Sequence, residues 1–408
     1  MKANYDCVVM GGGPAGSTAA ALVAQAGYST LLVEREAMPR FHVGESLMPE
    51  TYWTFQRLGV LDRMKNSEFV KKHSVQFVSA SGKESQPFFF EDHDPGENSQ
   101  TWQVERADFD KMLFDNAAEK GADCFDQTRV LEVLFDGQRS VGVRLQNSQG
   151  ETRDVTARVV VDATGQQALI ANRLGLCERL PHLKKAAIWT YYENARRDPD
   201  RNAGATIIFH TKTKEAWFWF IPLSRNITSI GVVGDHEFIL KGRGAPEQVF
   251  AEELQNCAAL TERLQDARQV DGFRVAKEFS YRTRQHAGDG WVLIGDAFGF
   301  IDPIYSSGVF FALKTGEMAA DAIVEGFQTG DLSATQLGKW TNEFKQGAQW
   351  ILKLVGAYYT NEFSFGQFMK SYPGHEGNLT DLLIGRIFHN GAGKIFDDME
   401  LALRDACS

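Results

Sequence analysis

Tyr5 to Glu34 reads YDCVVM-GGGPAG-STAAALVAQAG-YSTLLVE, and the fold turns on how this stretch is read. Tyr5 to Met10 is a short β-prone apolar run, the pattern of a strand buried on both faces. Gly11-Gly12-Gly13-Pro14-Ala15-Gly16 follows. Ser17 to Ala26 is then rich in alanine with no breaker before Gly27, which predicts a helix with a glycine stop. Ser29 to Val33 predicts a second strand, ending at Glu34. Together these elements make one βαβ unit. Gly11, Gly13 and Gly16 fit GxGxxG: the first for a tight turn, the second for backbone approach to a pyrophosphate, the third for close helix–strand packing. A lone GxGxxG is weak evidence. Here it stands between a strand and a helix, and Glu34 lies about 20 residues on, where a carboxylate can bind ribose hydroxyls. A dinucleotide site is therefore expected over Gly11, Gly13, Pro14, Ala15, Gly16, Glu34 and Arg35, with the phosphates at the positive end of a helix beginning near Ala15. Glu34 argues against a bound 2′-phosphate, and Arg35 beside it weakens that argument.

Further along, Asp108 to Gly121 has helical spacing, and Thr128 to Leu145 alternates like paired strands around Asp136-Gly137. Arg158 to Asp162 is another buried-type strand, ending in Ala163-Thr164-Gly165. Ala186 to about Val233 is mostly β in pattern. Trp291 to Ile294 predicts a strand running into Gly295-Asp296, and Gly308 to Val324 a helix. Beyond Leu337 the chain reads as helical and unusually aromatic, with Trp340, Phe344, Trp350, Tyr358, Tyr359, Phe363, Phe365 and Phe368. Cofactor-type strands near the start, near 160 and near 293 imply a nucleotide domain assembled from separated pieces. The expected partition is 1–70 with 100–180 and 275–335 for that domain, 71–99 with 181–274 for an inserted β-sheet substrate lobe, and 336–408 for a helical cap.

The chain has 408 residues, enough for two or three packed lobes. Its 53 acidic against 43 basic residues give a net charge of −10, and no stretch supplies the basic face a nucleic-acid partner needs. The five cysteines are scattered, with no CxxC pair, which argues against a disulfide framework or a zinc site and for reduced thiols in the cytoplasm. No apolar run reaches the ~18 residues of a membrane span. Val8 to Ala24 resembles a signal h-region only superficially, because Gly11, Gly12, Gly13 and Pro14 break it.

The choice between FAD and NAD rests on Gly295-Asp296-Ala297, which follows a late strand and precedes a helix start. That order resembles the GD motif of the FAD-dependent monooxygenase superfamily, and Asp162-Ala163-Thr164-Gly165 resembles its DATG segment. The resemblance implies an α/β, para-hydroxybenzoate hydroxylase-like, Rossmann-type FAD-binding domain with an inserted sheet and a C-terminal helical region. It also implies cofactor contacts at Asp162, Gly165, Asp296, Gly308 and Val309. Arg106, in Val104-Glu105-Arg106-Ala107-Asp108, matches an arginine that contacts FAD in that group. Read from its position alone, the alternative is a surface ion pair on a helix.

Phe300-Ile301-Asp302-Pro303-Ile304-Tyr305-Ser306-Ser307-Gly308-Val309 is similar to the flavin-dependent halogenases, in the branch acting on phenols and carrier-bound pyrroles. Three segments agree. Arg40-Phe41-His42-Val43-Gly44-Glu45-Ser46-Leu47-Met48-Pro49 resembles the flavin-covering HVGES loop, which assigns Ser46 to the cofactor. Trp217-Phe218-Trp219-Phe220-Ile221-Pro222 satisfies WxWxIP, and Phe69-Val70-Lys71-Lys72 the FxxK segment, placing the essential lysine at Lys72. The resemblance implies that FADH2, supplied by a separate flavin reductase, reacts with O2 to give a C4a-hydroperoxide. Chloride or bromide, held at the backbone of Ser307 and Gly308, becomes hypohalous acid. That oxidant travels a tunnel walled by Trp217, Trp219, Ile221 and Pro222 to catalytic Lys72, which serves an electron-rich phenol or pyrrole, free or tethered to a carrier protein. A helix N-terminus suits the anion, and a buried lysine with a lowered pKa suits the relay.

From spacing alone, Lys71 and Lys72 are a solvated pair at a strand edge, and Trp217 and Trp219 share one face of a strand as core. Asp302 terminates a turn, and Glu45 caps locally. Ser74 stands where the family segment has glycine, and Phe310 and Phe311 stand where many relatives have smaller or polar residues. No counterpart of the tryptophan-halogenase glutamate follows Gly308, which disfavours free tryptophan. Competing readings are a reductase like the geranylgeranyl reductases, an aromatic monooxygenase, and a flavin-binding module without turnover.

Overall fold

The computed structural model describes residues 1–277 and 279–407. Asn4–Met10 is central to the first sheet, flanked in parallel by Thr30–Val33 on one side and Thr152–Asp162 on the other. Asp123–Phe125 extends the first side and Trp291–Leu293 the second, both in parallel register. Four of the strands predicted from apolar runs therefore lie side by side, although up to about 290 residues separate them in the chain.

Thr152–Asp162 begins well before the five residues expected from sequence. Its first half alternates exposed and buried, and pairs antiparallel with Arg139–Gln146, itself the partner of Arg129–Asp136. Its second half, Val159 to Asp162, is continuously buried because sheet neighbours and helices cover both faces. Helix Pro14–Gln25 lies on this sheet, packed against Arg106–Glu119 and Ser307–Thr329. It starts at Pro14, earlier than the alanine run, because proline is suited to a first helical position.

The second sheet runs Lys185–Glu193, Ile227–Asp235, Ala216–Pro222, Thr206–His210, Ser74–Val78. Only the last pairing is parallel. Arg274–Lys277 pairs with Lys185–Glu193, so the chain leaves this sheet slightly later than the expected 274. Strand Ala216–Pro222 is buried on both sides. Trp217 and Trp219 face the C-terminal helices, whereas Phe218 and Phe220 face helices Pro246–Gln255 and Ala258–Arg263. Helices Thr341–Tyr358, Phe365–Ser371, Glu376–Ile384 and Ile395–Cys407 form the aromatic C-terminal region. Trp350 stacks on Phe396, and Phe344 packs on Phe388 and Phe311. A two-stranded pair, Val70–Lys72 with Thr101–Gln103, lies off both large sheets.

Candidate active site

The three glycines of the first turn divide by what surrounds them. Gly11 has φ +107°, and a Cβ there would sit 2.3 Å from the Ala163 carbonyl oxygen. A Cβ on Gly16 would lie 1.9 Å from the Gly11 carbonyl oxygen. Both are glycine because the protein's own backbone leaves no room. Gly13 differs: a Cβ would meet nothing nearer than the flexible end of Arg40, at 3.5 Å. Its bareness leaves space for a group approaching from outside, as a pyrophosphate does.

That space is a cleft of about 1090 Å³, including its open mouth, at the carboxyl ends of the parallel strands. Gly11, Gly13, Pro14, Ala15, Glu34, Arg35, Arg106, Gly165, Asp296, Gly308 and Val309 line it, so most of the expected cofactor positions converge on one wall system. Val43 and Gly44 of the HVGES loop join them. The Gly12 amide donates to Glu34 Oε2 at 2.9 Å, which aims this carboxylate at the turn. Burial pushes the Asp296 carboxyl up to about 6, against the opposing pull of Arg106. The residues present suit FAD: a bare glycine turn at a helix N-terminus, a carboxylate at the second strand, and a second carboxylate beside the later helix.

Arg106 is no surface residue. It is buried at the start of its helix, and its guanidinium grips Asp110 with Nε at 2.7 Å and Nη2 at 3.0 Å. Its Nη1 donates to the Val43 carbonyl at 2.7 Å, tying the helix to the HVGES loop. Arg40 reaches the same carboxylate at 2.8 Å and lies 3.5 Å from Glu34. Burial alone would raise the Asp110 carboxyl; Arg106 and Arg40 together hold it below its ordinary range. The i, i+4 spacing of Arg106 and Asp110 was visible in the sequence, whereas Arg40 arrives from a distant loop.

Three expected cofactor residues lie elsewhere: Gly16, packed against the Gly11 carbonyl, and Asp162 and Ser46. Asp162 is fully buried and accepts from the Thr164 amide, the Thr164 hydroxyl and the Ile170 amide, shaping the DATG turn instead of lining the cleft. Ser46, two residues beyond Gly44, turns away from the cleft toward Lys72. Residues two apart share a side only in a regularly extended chain, and Gly44, at φ +101°, breaks that regularity just before Ser46.

Lys72 is only 2 % exposed. Its Nζ donates to Ser46 Oγ at 2.9 Å and to the Leu47 carbonyl at 3.0 Å, with the Phe90 ring centroid 5.7 Å away. No carboxylate partners it among the described residues, and burial lowers its pKa to about 7. The solvated lysine pair expected from spacing alone is thereby corrected. Lys71 is exposed, and Lys72 points inward because successive strand residues face opposite sides. Ser74, where glycine was expected, is buried and donates to Asn202 Oδ1 at 2.6 Å.

Ser307 and Gly308 open the 23-residue helix Ser307–Thr329, and Gly308 borders the cleft. Their amides belong to the first helical turn, which has no intrahelical acceptor. Phe310 points away from the cleft, packing on Phe388 of the C-terminal region, and neither Phe310 nor Phe311 lines the cleft. Trp217, Trp219, Ile221 and Pro222 are all buried. Trp217 Nε1 donates to Tyr359 Oη at 3.0 Å, and Trp219 Nε1 to Ser229 Oγ at 3.1 Å.

Asp302 and Glu45 exceed the local roles expected of them. Asp302 accepts from the Ile304 amide at 3.0 Å, as a turn residue does, and also from the Tyr359 hydroxyl. Burial pushes it up to about 7. Glu45 accepts from the Tyr191 hydroxyl at 2.6 Å, and burial pushes it up to about 7 against the opposing pull of the Tyr191 and Ser229 hydroxyls. Neither partner was legible, since Tyr359 and Tyr191 are distant in sequence.

Fold and cleft together define an FAD-dependent oxidoreductase, and residues 4–322 match the family described as FAD binding domain. The chain is 31% identical to the 1H-pyrrole-2-carbonyl-[peptidyl-carrier protein] chlorinase of Pseudomonas fluorescens, over 97% of this chain and 92% of that one. It is 31% identical to the corresponding brominase of Pseudoalteromonas luteoviolacea, over 87% of this chain and 86% of that one. The solved structure of the flavin-dependent brominase Bmp2 superimposes with a TM-score of 0.88 at 29% identity, covering 98% of this chain and 100% of that one. The chain belongs to the flavin-dependent halogenases.

Proposed function

We propose that this chain halogenates an electron-rich aromatic ring, with a pyrrole tethered to a carrier protein favoured over a free phenol. The observation carrying this reading is Lys72, a buried amine with no counterion among the described residues, in the FxxK segment of a chain similar over nearly its whole length to a carrier-pyrrole chlorinase. When bound, reduced FAD would supply, with O2 as the oxidant, the chemistry that converts chloride or bromide to hypohalous acid. Gly11, Gly13, Pro14 and Ala15 hold its pyrophosphate at the N-terminus of the first helix, Glu34 and Arg35 its ribose end, and Arg106, Asp296, Gly308 and Val309 the remainder. The Ser307 and Gly308 amides hold the halide, where the helix end favours an anion. Trp217, Trp219, Ile221 and Pro222 wall the passage and keep the aromatic substrate off the flavin. Lys72 receives the oxidant and presents it to the ring. The division into pieces 1–70, 100–180 and 275–335 against 71–99 and 181–274, capped by 336–408, separates cofactor from substrate handling. A separate flavin reductase provides FADH2, and the enzyme works in the cytoplasm; among the described residues no helix is long and apolar enough to cross a membrane.

The test is turnover of the FAD-loaded protein with a flavin reductase, NADH and chloride or bromide, offered pyrrole-2-carbonyl carrier protein, a simple phenol or monochlorodimedone. Halide-dependent product, lost in Lys72→Ala with flavin binding retained, is expected. Oxygenated product indifferent to halide would instead mean a monooxygenase, and saturation of a double bond a reductase.

A further inference from the structure

Lys72 is held by a small polar network made wholly of uncharged groups. Ser46 Oγ, its side-chain partner, lies 2.8 Å from Thr206 Oγ1. Gln103 Nε2 donates to Thr206 Oγ1 at 2.8 Å and to the Gly204 carbonyl at 3.0 Å. A carbonyl can only accept, so the contact with Gly204 settles which end of the Gln103 amide faces Thr206. Thr206 therefore receives a hydrogen from Gln103, and its contact with Ser46 can run in either direction. When Thr206 donates, Ser46 keeps one lone pair and one hydrogen for Lys72. The other partner of Lys72, the Leu47 carbonyl, can only accept. Around it, Lys71 is exposed, His73 is half-buried, Thr101 stands opposite on the paired strand, and Phe90 offers a ring face.

We propose that Ser46 is the positioning residue for Lys72, accepting from the ammonium and donating to the amine, so that the side chain keeps one location in both protonation states. This rests on the assignment of Lys72 to catalysis and goes beyond it. A carboxylate there would pin the ammonium, and an apolar residue would leave it a single acceptor in a dry site. A hydroxyl, which can both accept and donate, does neither. Ser46 is thereby removed from the cofactor contacts that its motif implied.

Because hydrogen bonds to a charged donor are the stronger kind, losing Ser46 disfavours the ammonium and moves the titration of Lys72 to lower pH. The experiment uses the full chain with 13C-labelled lysine, the Lys72 Cε resonance being identified by its absence in Lys72→Ala. In Ser46→Ala its midpoint should fall by about one pH unit, and in Ser46→Thr it should stay near wild type. Halogenation of monochlorodimedone by the FAD-loaded enzyme should fall about tenfold or more in kcat for Ser46→Ala, with the KM for halide and the Kd for FAD within about twofold. An unmoved Lys72 midpoint in a folded Ser46→Ala protein overturns the proposal, as does loss of FAD affinity with the midpoint unchanged. If Lys72→Ala retains wild-type halogenation, the catalytic assignment of Lys72 fails instead, while the titration still decides what Ser46 does.

Discussion

The hydroxyl of Tyr359 lies 3.1 Å from Asp302 Oδ2, at the meeting of the last turn of helix Thr341–Tyr358 and the loop that leads into helix Ser307–Thr329. The same hydroxyl accepts from Trp217 Nε1, so one oxygen joins the C-terminal region, the second sheet and the segment that leads into helix Ser307–Thr329. Tyr305 and Tyr358 pack beside it, and the Lys185 ammonium sits 3.8 Å from the Tyr359 ring centroid.

Tyr359→Phe removes both hydrogen bonds and leaves the Trp217 indole and the Asp302 carboxyl short of a partner inside the protein. A loss of about 1–3 kcal/mol of stability is expected. Urea unfolding of the two proteins measures it, and equal midpoints with equal slopes would show that water replaces the hydroxyl.

Asp302 makes stability depend on pH in a defined direction. Its carboxyl is raised to about 7 in the fold from an ordinary value near 3.8. Between those values the unfolded chain gives up the proton while the folded one keeps it, so this group costs stability as pH rises through the window. Asp302→Asn removes that cost. The variant's Tm relative to wild type should rise between pH 4.5 and 7.5, and a constant difference counts against the assignment.

The two kinds of glycine in the first turn should fail differently. Gly16→Ala drives a Cβ into the Gly11 carbonyl and should destabilise the apo-protein by about 3 kcal/mol or more. Gly13→Ala meets no backbone, so the apo-protein should unfold within about 0.5 kcal/mol of wild type. Its FAD affinity, read by flavin fluorescence, should fall about tenfold or more. Normal FAD binding by Gly13→Ala would mean that the pyrophosphate lies elsewhere.

Arg106→Lys keeps a charge but loses the fork that grips Asp110. With Asp110 buried and Arg40 its remaining partner, a loss of about 2–4 kcal/mol is expected. FAD affinity should weaken with it, because Arg106 also anchors the Val43 carbonyl at the rim of the cleft. Thermal unfolding with and without FAD separates the two effects.

Burying an amine also leaves a mark on stability. Lys72 falls from an ordinary value near 10.5 to about 7. Below pH 7 both states are charged and the fold bears the full cost of a buried ammonium; between pH 7 and 10.5 only the unfolded chain holds the proton, and the cost shrinks as pH rises. Lys72→Met should therefore stabilise most at pH 6 and least near pH 10. Equal effects at both would mean that the amine titrates normally.

The sequence by itself determined what depends on near neighbours in the chain. The βαβ unit from Tyr5 to Glu34, the DATG and GD turns, and the single face shared by Trp217 and Trp219 all follow from short-range spacing, because strand and helix periods dictate which side chains share a side. Motif resemblance carried this as far as naming Lys72. Only the tertiary structure decided whether a residue in a motif lines the cleft. Gly44 does and Ser46 does not, although they are two apart, and Asp162 shapes its own turn. It also decided every partner drawn from far away: Arg40 for Asp110, Tyr359 for Asp302, Ser46 and Leu47 for Lys72. Whether a lysine is solvated or buried without a counterion is set by what packs over it. In this chain Lys72 meets Ser46, Leu47 and Phe90, and Ser46 is itself bonded to the distant Thr206; no local pattern encodes that arrangement.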